Sequence, residues 1–448
     1  MIKLALFFST CSKEEQVEKL QINLAQLQAQ ASELLTTKCI SPQGWFYASG
    51  DDTTGHGSYK CLFGRDSLHI SMFVMDYIRI TDDRSLLPNV RRTLEKLADT
   101  QGRSFNLETG ERPGWIIHEM RTEHHEHLTR DLDPQWPTYD DDVMRIYQSV
   151  DSTYLYLIAM YRYWQLTGDD VFLKDILYSV RAAVRAILKF GDTNRDGLLD
   201  YFVPPERKSG GLVVWSWTDS AESIGDQIVY PVAPIEVQGY GFLAASLWVE
   251  YFRESEPELA QGLAAMAARL QDLTWDKFQR EDHLASILDG SGRTDEDVRS
   301  SMGHLLWASL NDAWDHKPAQ AVVSHRGVEK IVKRLMARDM FDPEGGIRTL
   351  SADSPRYDPS KYHNGSIWTH DTVLSYIGLR NHGFKADASL VANGLLTALD
   401  HFGTPGMELF SHHQGKYAEF RHPMGPNTGN KVQGWALAGV MAMTAYER

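Results

Sequence analysis

The chain reads as an all-α protein folded as an (α/α)6 barrel, a toroid of helical hairpins whose long loops gather on one face. Three observations predict this. Apolar residues recur at helical spacing in twelve segments. Short polar turns alternate with long connections between those segments. No convincing series of strands with alternating polarity is visible.

Helices are predicted over 13–37, 66–81, 84–101, 148–166, 169–190, 235–254, 256–281, 299–312, 323–339, 370–381, 386–402 and 431–447. Within pairs the turns are short: Thr81-Asp82-Asp83, Thr167-Gly168, Ser255 and Asn381-His382-Gly383. The link from the eighth helix to the ninth is longer and contains Pro318. Between pairs come 38–65, 102–147, 191–234, 282–298, 340–369 and 403–430. Loops this long in a compact domain are either functional or disordered, and these are rich in Trp, Tyr, His and Asp. The alternation places every long loop on one face, feeding the N-terminus of an inner helix, where unsatisfied N–H groups point into that face. No linker or low-complexity tract interrupts the series, so a tail over 1–12 and one catalytic barrel over 13–448 are expected, with no repeated sequence.

A length of 448 residues would suggest about three average domains, but a single large helical barrel exceeds that average. Hydrophobic residues at 42% supply a core, and charged residues at 23% argue against disorder. The net charge of −15 disfavours nucleic acid and anionic membrane, both of which need Lys/Arg-rich surfaces. A neutral ligand fits better, and 12 Trp and 19 Tyr suit both core packing and stacking on the apolar faces of sugars. The three cysteines, Cys11, Cys39 and Cys61, form neither a disulfide framework nor a zinc pattern, which fits a reducing, cytoplasmic location. The apolar run Leu4 to Phe8 is shorter than a signal core, and no run reaches the length of a membrane span.

The stretch Trp215-Ser216-Trp217-Thr218-Asp219-Ser220-Ala221-Glu222-Ser223 stands out within the third long loop. A carboxyl held against indole rings loses hydration of its charged form, so its pKa rises toward that of a general acid. Phe63-Gly64-Arg65-Asp66-Ser67 closes the first loop, with Asp66 readable as an N-cap or as a partner of sugar hydroxyls. The run Glu123-His124-His125-Glu126-His127 lacks the HExxH zinc pattern and reads as a solvated rim. Asp192-Thr193-Asn194-Arg195-Asp196-Gly197 matches the first half of a calcium loop, but Val203 occupies the position of the closing Glu, leaving an Asp/Asn/Gly turn as the alternative. Glu408 lies in an apolar setting in the sixth loop and gains meaning only as a second carboxylate for Asp219.

Ten motifs, in order, resemble the amylo-α-1,6-glucosidase domain of bacterial-type glycogen debranching enzymes: FGRDS (63–67), PGWIIHEMR (113–121), SVDST (149–153), DTNRDGLLDY (192–201), SWTDSAESI (216–224), EVQGY (236–240), GHLLW (303–307), YHNGSIWTHD (362–371), ELF (408–410) and QGWALA (433–438). More distant similarity reaches glucoamylases and processing α-glucosidases, which share the (α/α)6 barrel. The resemblance implies an inverting exo-acting α-glucosidase with Asp219 as general acid and Glu408 as general base, their carboxyls about 6.5 to 9.5 Å apart to admit a water. It implies that Arg65 and Asp66 grip the terminal sugar, that Glu119, Trp217, His363, Asn364 and Trp368 line its pocket, and that neither cofactor nor metal is needed. Glu222 stands where relatives often carry Asp, which makes it a further pocket residue and a rival to Asp219. Many relatives also carry a β-rich domain before the barrel, for which this chain has no room, so a short oligosaccharide or small glucoside is as plausible a substrate as glycogen.

Two other functions compete. One is a sugar epimerase or isomerase on the same barrel, using His118, His304, His363 or His370. The other is a catalytically silent carbohydrate-binding barrel.

Overall fold

Twelve helices alternate between two environments, and their side chains set the alternation. In the computed structural model, which describes residues 13–51, 59–224, 228–421 and 429–448, they are α1 (Lys13–Lys38), α2 (Gly64–Thr81), α3 (Leu87–Asp99), α4 (Ser152–Thr167), α5 (Asp170–Phe190) and α6 (Ile235–Phe252). The second half comprises α7 (Pro257–Phe278), α8 (His304–Trp307), α9 (His325–Leu335), α10 (Thr369–Asn381), α11 (Lys385–Phe402) and α12 (Gly434–Tyr446). The tail expected over 1–12, with its apolar run and Cys11, lies outside the described residues.

Even-numbered helices are buried on nearly every side; in α10 each residue from Thr369 to Leu379 is buried, and in α12 each from Gly434 to Ala445. Odd-numbered helices bury one stripe. In α9 this is Val328, Ile331, Val332 and Leu335, and in α3 it is Val90, Leu94 and Leu97. The buried helices touch in the order α2, α4, α6, α8, α10, α12 and back to α2, which closes the inner ring. Around it α3 packs on α2, α5 on α4, α7 on α6 and α11 on α10, while α1 packs on α12 and joins the first helix to the last. This is the all-α (α/α)6 barrel, with the long loops entering the inner helices.

Two expectations need correction. The eighth helix, predicted over 299–312, is a 3-10 turn at Ser300–Gly303 followed by the single turn of α8. A separate turn at Asp312–Asp315 comes next, capped by Asn311 through Trp314 N. Ser309 and Asn311 compete for backbone hydrogen bonds there and interrupt the helix. Among the described residues the loops also contain ten short strands where the sequence suggested none. β1 (Leu62–Phe63), β2 (Glu119–Arg121) and β3 (Met144–Ile146) form one antiparallel sheet; β4 (Val232–Pro234) pairs with β5 (Ile287–Asp289), and β6 (Phe341–Asp342) with β7 (Gly346–Ile347). β8 (Ile367–Trp368), β9 (Leu409–His413) and β10 (Lys416–Glu419) form the last sheet. Strands of two to five residues are too short to show a period of two.

These small sheets position the loop face. β1 runs straight into α2, and Gly64 at the junction donates its N–H to His118 O at 2.7 Å. A Cβ at Gly64 would lie 2.0 Å from Ile117 O, so only glycine lets β1, β2 and the start of α2 meet so closely. Among the described residues no helix is long and apolar enough to cross a membrane, and Cys39 and Cys61 are buried.

Candidate active site

Each key side chain is delivered by one of these junctions. Phe63 pairs with Glu119 across β1 and β2, which places Arg65 and Asp66, in the first turn of α2, beside Glu119 and Arg121. Asp66 therefore sits inside the helix and is not its cap; Phe63 takes the capping position without a side-chain hydrogen bond. Trp368 pairs with Leu409 across β8 and β9 and so brings Trp368 and Glu408 together. The third loop is tied down through Val150 N to Trp215 O at 2.9 Å, which sets the position of Asp219.

The loops enclose a cavity of about 440 Å³. Of the predicted residues, Arg65, Asp66, Glu119, Trp217, Asp219, Trp368 and Glu408 line it. Glu222, His363 and Asn364 do not: they form the layer behind. Glu222 Oε1 accepts the N–H of Tyr362 at 2.9 Å, His363 stacks on Trp368 with ring centres 5.0 Å apart, and Asn364 Oδ1 accepts from Arg299 at 3.0 Å. Glu222, the rival to Asp219, stands outside the cavity lining. Trp215 also stays behind the wall, stacked on Tyr201.

Arg65 organises the floor. It is almost fully buried, donating from Nε to Asp151 at 2.6 Å, from Nη1 to Asp219 at 2.9 Å and from Nη2 to the Ser216 carbonyl at 2.9 Å. The Asp219 side chain keeps 26% of its surface open. Burial raises its pKa above the usual carboxylate range, and the Arg65 guanidinium opposes this. Glu408 is only 3% exposed. Its Oε1 accepts from the Tyr362 hydroxyl at 3.0 Å, and its Oε2 accepts from Asn430 N at 2.9 Å and Asn430 Nδ2 at 2.8 Å. Burial pushes its pKa up to about 7, and those donors resist the rise.

Asp66 accepts from Gln433 at 3.1 Å and is pushed up to about 8 by burial, against the pull of Arg65. Glu119 is raised by burial and held down by its ion pair with Arg121. Arg121, Tyr362, Asn430, Gln433 and Trp435 line the cavity but were not singled out from sequence. All but Asn430 lie within motifs quoted above, so the motifs marked the neighbourhood without assigning the contact.

His118 alone of the four candidate histidines lines the cavity, and burial holds its imidazole in the neutral form. His304 is sealed between Tyr240 and Asp371, and His370 stacks on Trp435. In the 192–200 turn, Asp192 accepts from Asp196 N and Gly197 N, and Asp200 accepts from Thr193, as an Asp/Asn/Gly turn does. In the run near His124, His125 is buried against Thr129, while His127 reaches the cavity lining. Among the described residues no group of three or more His, Cys, Asp or Glu is arranged to hold a metal ion.

Residues 252–427 match the family described as the mannosylglycerate hydrolase MGH1-like glycoside hydrolase domain. No curated protein sequence matches the chain. Among solved structures, the GH63 mannosylglycerate hydrolase from Thermus thermophilus in complex with Tris and D-glycerate shares the fold with a TM-score of 0.61 at 14% identity, over 94% of this chain and 100% of that one. The same hydrolase in complex with glucose gives 0.60 at 14% identity, again over 94% and 100%. A glycosidase variant in complex with glucose gives 0.58 at 14%, over 96% and 98%. The solved neighbours share the fold of this chain, and the family model matches 252–427, less than half of it. The matched stretch contains Tyr362, Trp368 and Glu408, while Arg65 and Asp219 precede it. It names a mannosylglycerate hydrolase-like domain, a different glycosidase from the amylo-α-1,6-glucosidase that the motifs resemble.

Proposed function

We propose that the chain is an inverting, exo-acting glycosidase that releases an α-linked sugar from a small glycoside or short oligosaccharide, with Asp219 as general acid and Glu408 as general base. One observation carries this reading. Two carboxyl groups from different loops face one cavity, both raised by burial, but with unlike partners. Glu408 accepts three hydrogen bonds, which favour its ionised form and suit a base. Asp219 is the more open of the two and can reach a leaving oxygen.

In this mechanism Asp219 gives its proton to the glycosidic oxygen as the bond to the anomeric carbon breaks. Glu408 takes a proton from a water that attacks the opposite face, so the released sugar has inverted configuration. Asp219 ends ionised and Glu408 protonated, and exchange with solvent resets both. A cavity of about 440 Å³ matches a small-molecule site and supports a compact substrate over a polymer. Glucose and mannose are the leading sugars, since solved neighbours include a glucose complex and a mannosylglycerate hydrolase. An amylo-α-1,6-glucosidase activity is the finer alternative that the sequence motifs favour.

The test is a panel of α-glucosides and α-mannosides with Asp219→Asn and Glu408→Gln variants. Each substitution is expected to lower kcat by at least about 10²-fold, the ordinary loss of a general acid or base. Near-normal turnover by either variant removes that residue from its role.

A further inference from the structure

The motif SVDST (149–153) contributes no side chain to the cavity lining, yet its Asp151 is completely buried against the catalytic floor. Asp151 stands one residue before α4, and the chain beside it is tied to the loop of the acid, since Val150 N donates to Trp215 O. Its side chain does not cap that helix. Oδ2 instead accepts from Arg65 Nε at 2.6 Å, and Oδ1 accepts from the Ser149 hydroxyl.

Arg65 therefore lies between two carboxyls, Asp151 on Nε and Asp219 on Nη1, and among the described residues these are its ion-pair partners. Asp151 is sealed from solvent, whereas Asp219 keeps 26% of its side chain open. Burial disfavours the Arg65 cation, and Asp151 first and Asp219 second more than offset this. A guanidinium facing Asp219 alone would hold it ionised and unable to act as an acid. With Asp151 attached, Asp219 meets the dipole of a neutral pair in place of a full charge. Asp151 also acts on Asp219 directly, in the same direction as burial.

The other titratable groups around Asp219 have different engagements. On β2, Glu119 is paired with Arg121; on α2, Asp66 accepts from Gln433; Glu408 is held by Tyr362 and Asn430. His118 and His363 are kept neutral by burial, which also raises the phenols of Tyr59 and Tyr362, and His127 lies in the same lining. Glu236, in the first turn of α6, is pushed up to about 8 by burial.

We infer, on the glycosidase reading above, that Asp151 is the positioning residue of the acid step: it balances the Arg65 charge, so that Arg65 orients Asp219 without stripping its proton. Once Asp219 has passed that proton to the leaving oxygen, the new carboxylate keeps its hydrogen bond to Arg65.

Asp151→Asn keeps the shape of the side chain and removes its charge. The experiment measures kcat/KM against pH for the variant and the unaltered enzyme. One substrate is the best α-glycoside with an alcohol leaving group from the panel above; the others are α-glucosyl and α-mannosyl fluoride, whose fluoride leaves with little need of a proton. The limb present with the glycoside and absent with the fluoride reports Asp219. That limb is expected to move to lower pH by about one unit, with about a tenfold loss on the glycoside above it and less than about a threefold loss on the fluoride. Asp151→Ser is the second variant, and circular dichroism checks that both fold. A limb that stays in place in the folded variants means that Asp151 only aligns Arg65 and overturns the inference, as does an equal loss on both kinds of substrate or a pair of profiles that no limb distinguishes. If the unaltered enzyme hydrolyses neither fluoride nor glycoside, the glycosidase reading falls and this inference falls with it; fluoride turnover with no glycoside turnover overturns the inference alone.

Discussion

Tyr362 separates the two carboxyls at the level of single residues. Its hydroxyl donates to Glu408, and that bond stabilises the ionised carboxylate against the burial that pushes it to about 7. A base must be ionised, so kcat/KM is expected to rise with pH through about 7 as Glu408 loses its proton. Tyr362→Phe removes a donor to the charged form and raises the Glu408 pKa further. The ascending limb should therefore move to higher pH in a pH–rate profile; a limb that stays or moves down contradicts the assignment. Motif position singles out Asp219 and Glu408 but not these supports. Asn430 binds Glu408 across 22 residues of sequence, outside any recognised motif, and only the folded loops show the contact. Glu222, His363 and Asn364 lie in the same motifs, but their side chains contact Tyr362, Trp368 and Arg299 outside the cavity lining.

Elements show the same division between what periodicity reveals and what packing decides. The outer helices carry a stripe with helical spacing, whereas inner helices such as α12 are apolar on all sides, so their limits came from flanking turn residues. α8 failed because its one turn is set by Ser309 and Asn311 chemistry within an apolar segment. The loop strands that place Arg65 and Trp368 were invisible for want of length. α6 opens with a costly choice: Glu236 in its first turn is 2% exposed, and its Oε1 has no hydrogen-bond partner among the described residues. Burial raises its pKa from an ordinary 4.5 to about 8. The folded state therefore holds a proton that the unfolded chain releases across that window. The associated stability is fully present below 4.5 and is lost as pH rises through about 8. Glu236→Gln should flatten the fall of Tm between pH 4.5 and about 8, the range that this shift spans; an equally steep fall in the variant contradicts this burial.

For the whole molecule, the decisive contact is between the chain's first and last helices. α12 packs on α2 and closes the ring of inner helices, and α1 packs on α12 from outside it. One continuous hydrophobic core runs through all twelve helices. We expect the barrel to behave as one domain: circular dichroism and tryptophan fluorescence should report one coincident thermal transition, and two separated transitions would divide it. The barrel class was legible because loop length alternates regularly along the chain, a property of connectivity that needs no contact information. The sugar and leaving group were not, because cavity shape depends on loops that meet only in three dimensions.

The central claim is that Asp219 and Glu408 act from opposite faces of the sugar with a water between them. Proton NMR of the sugar first released from an α-glycoside tests it directly. The β anomer should appear first and then mutarotate; an α anomer appearing first would contradict inversion and the roles assigned to both carboxylates.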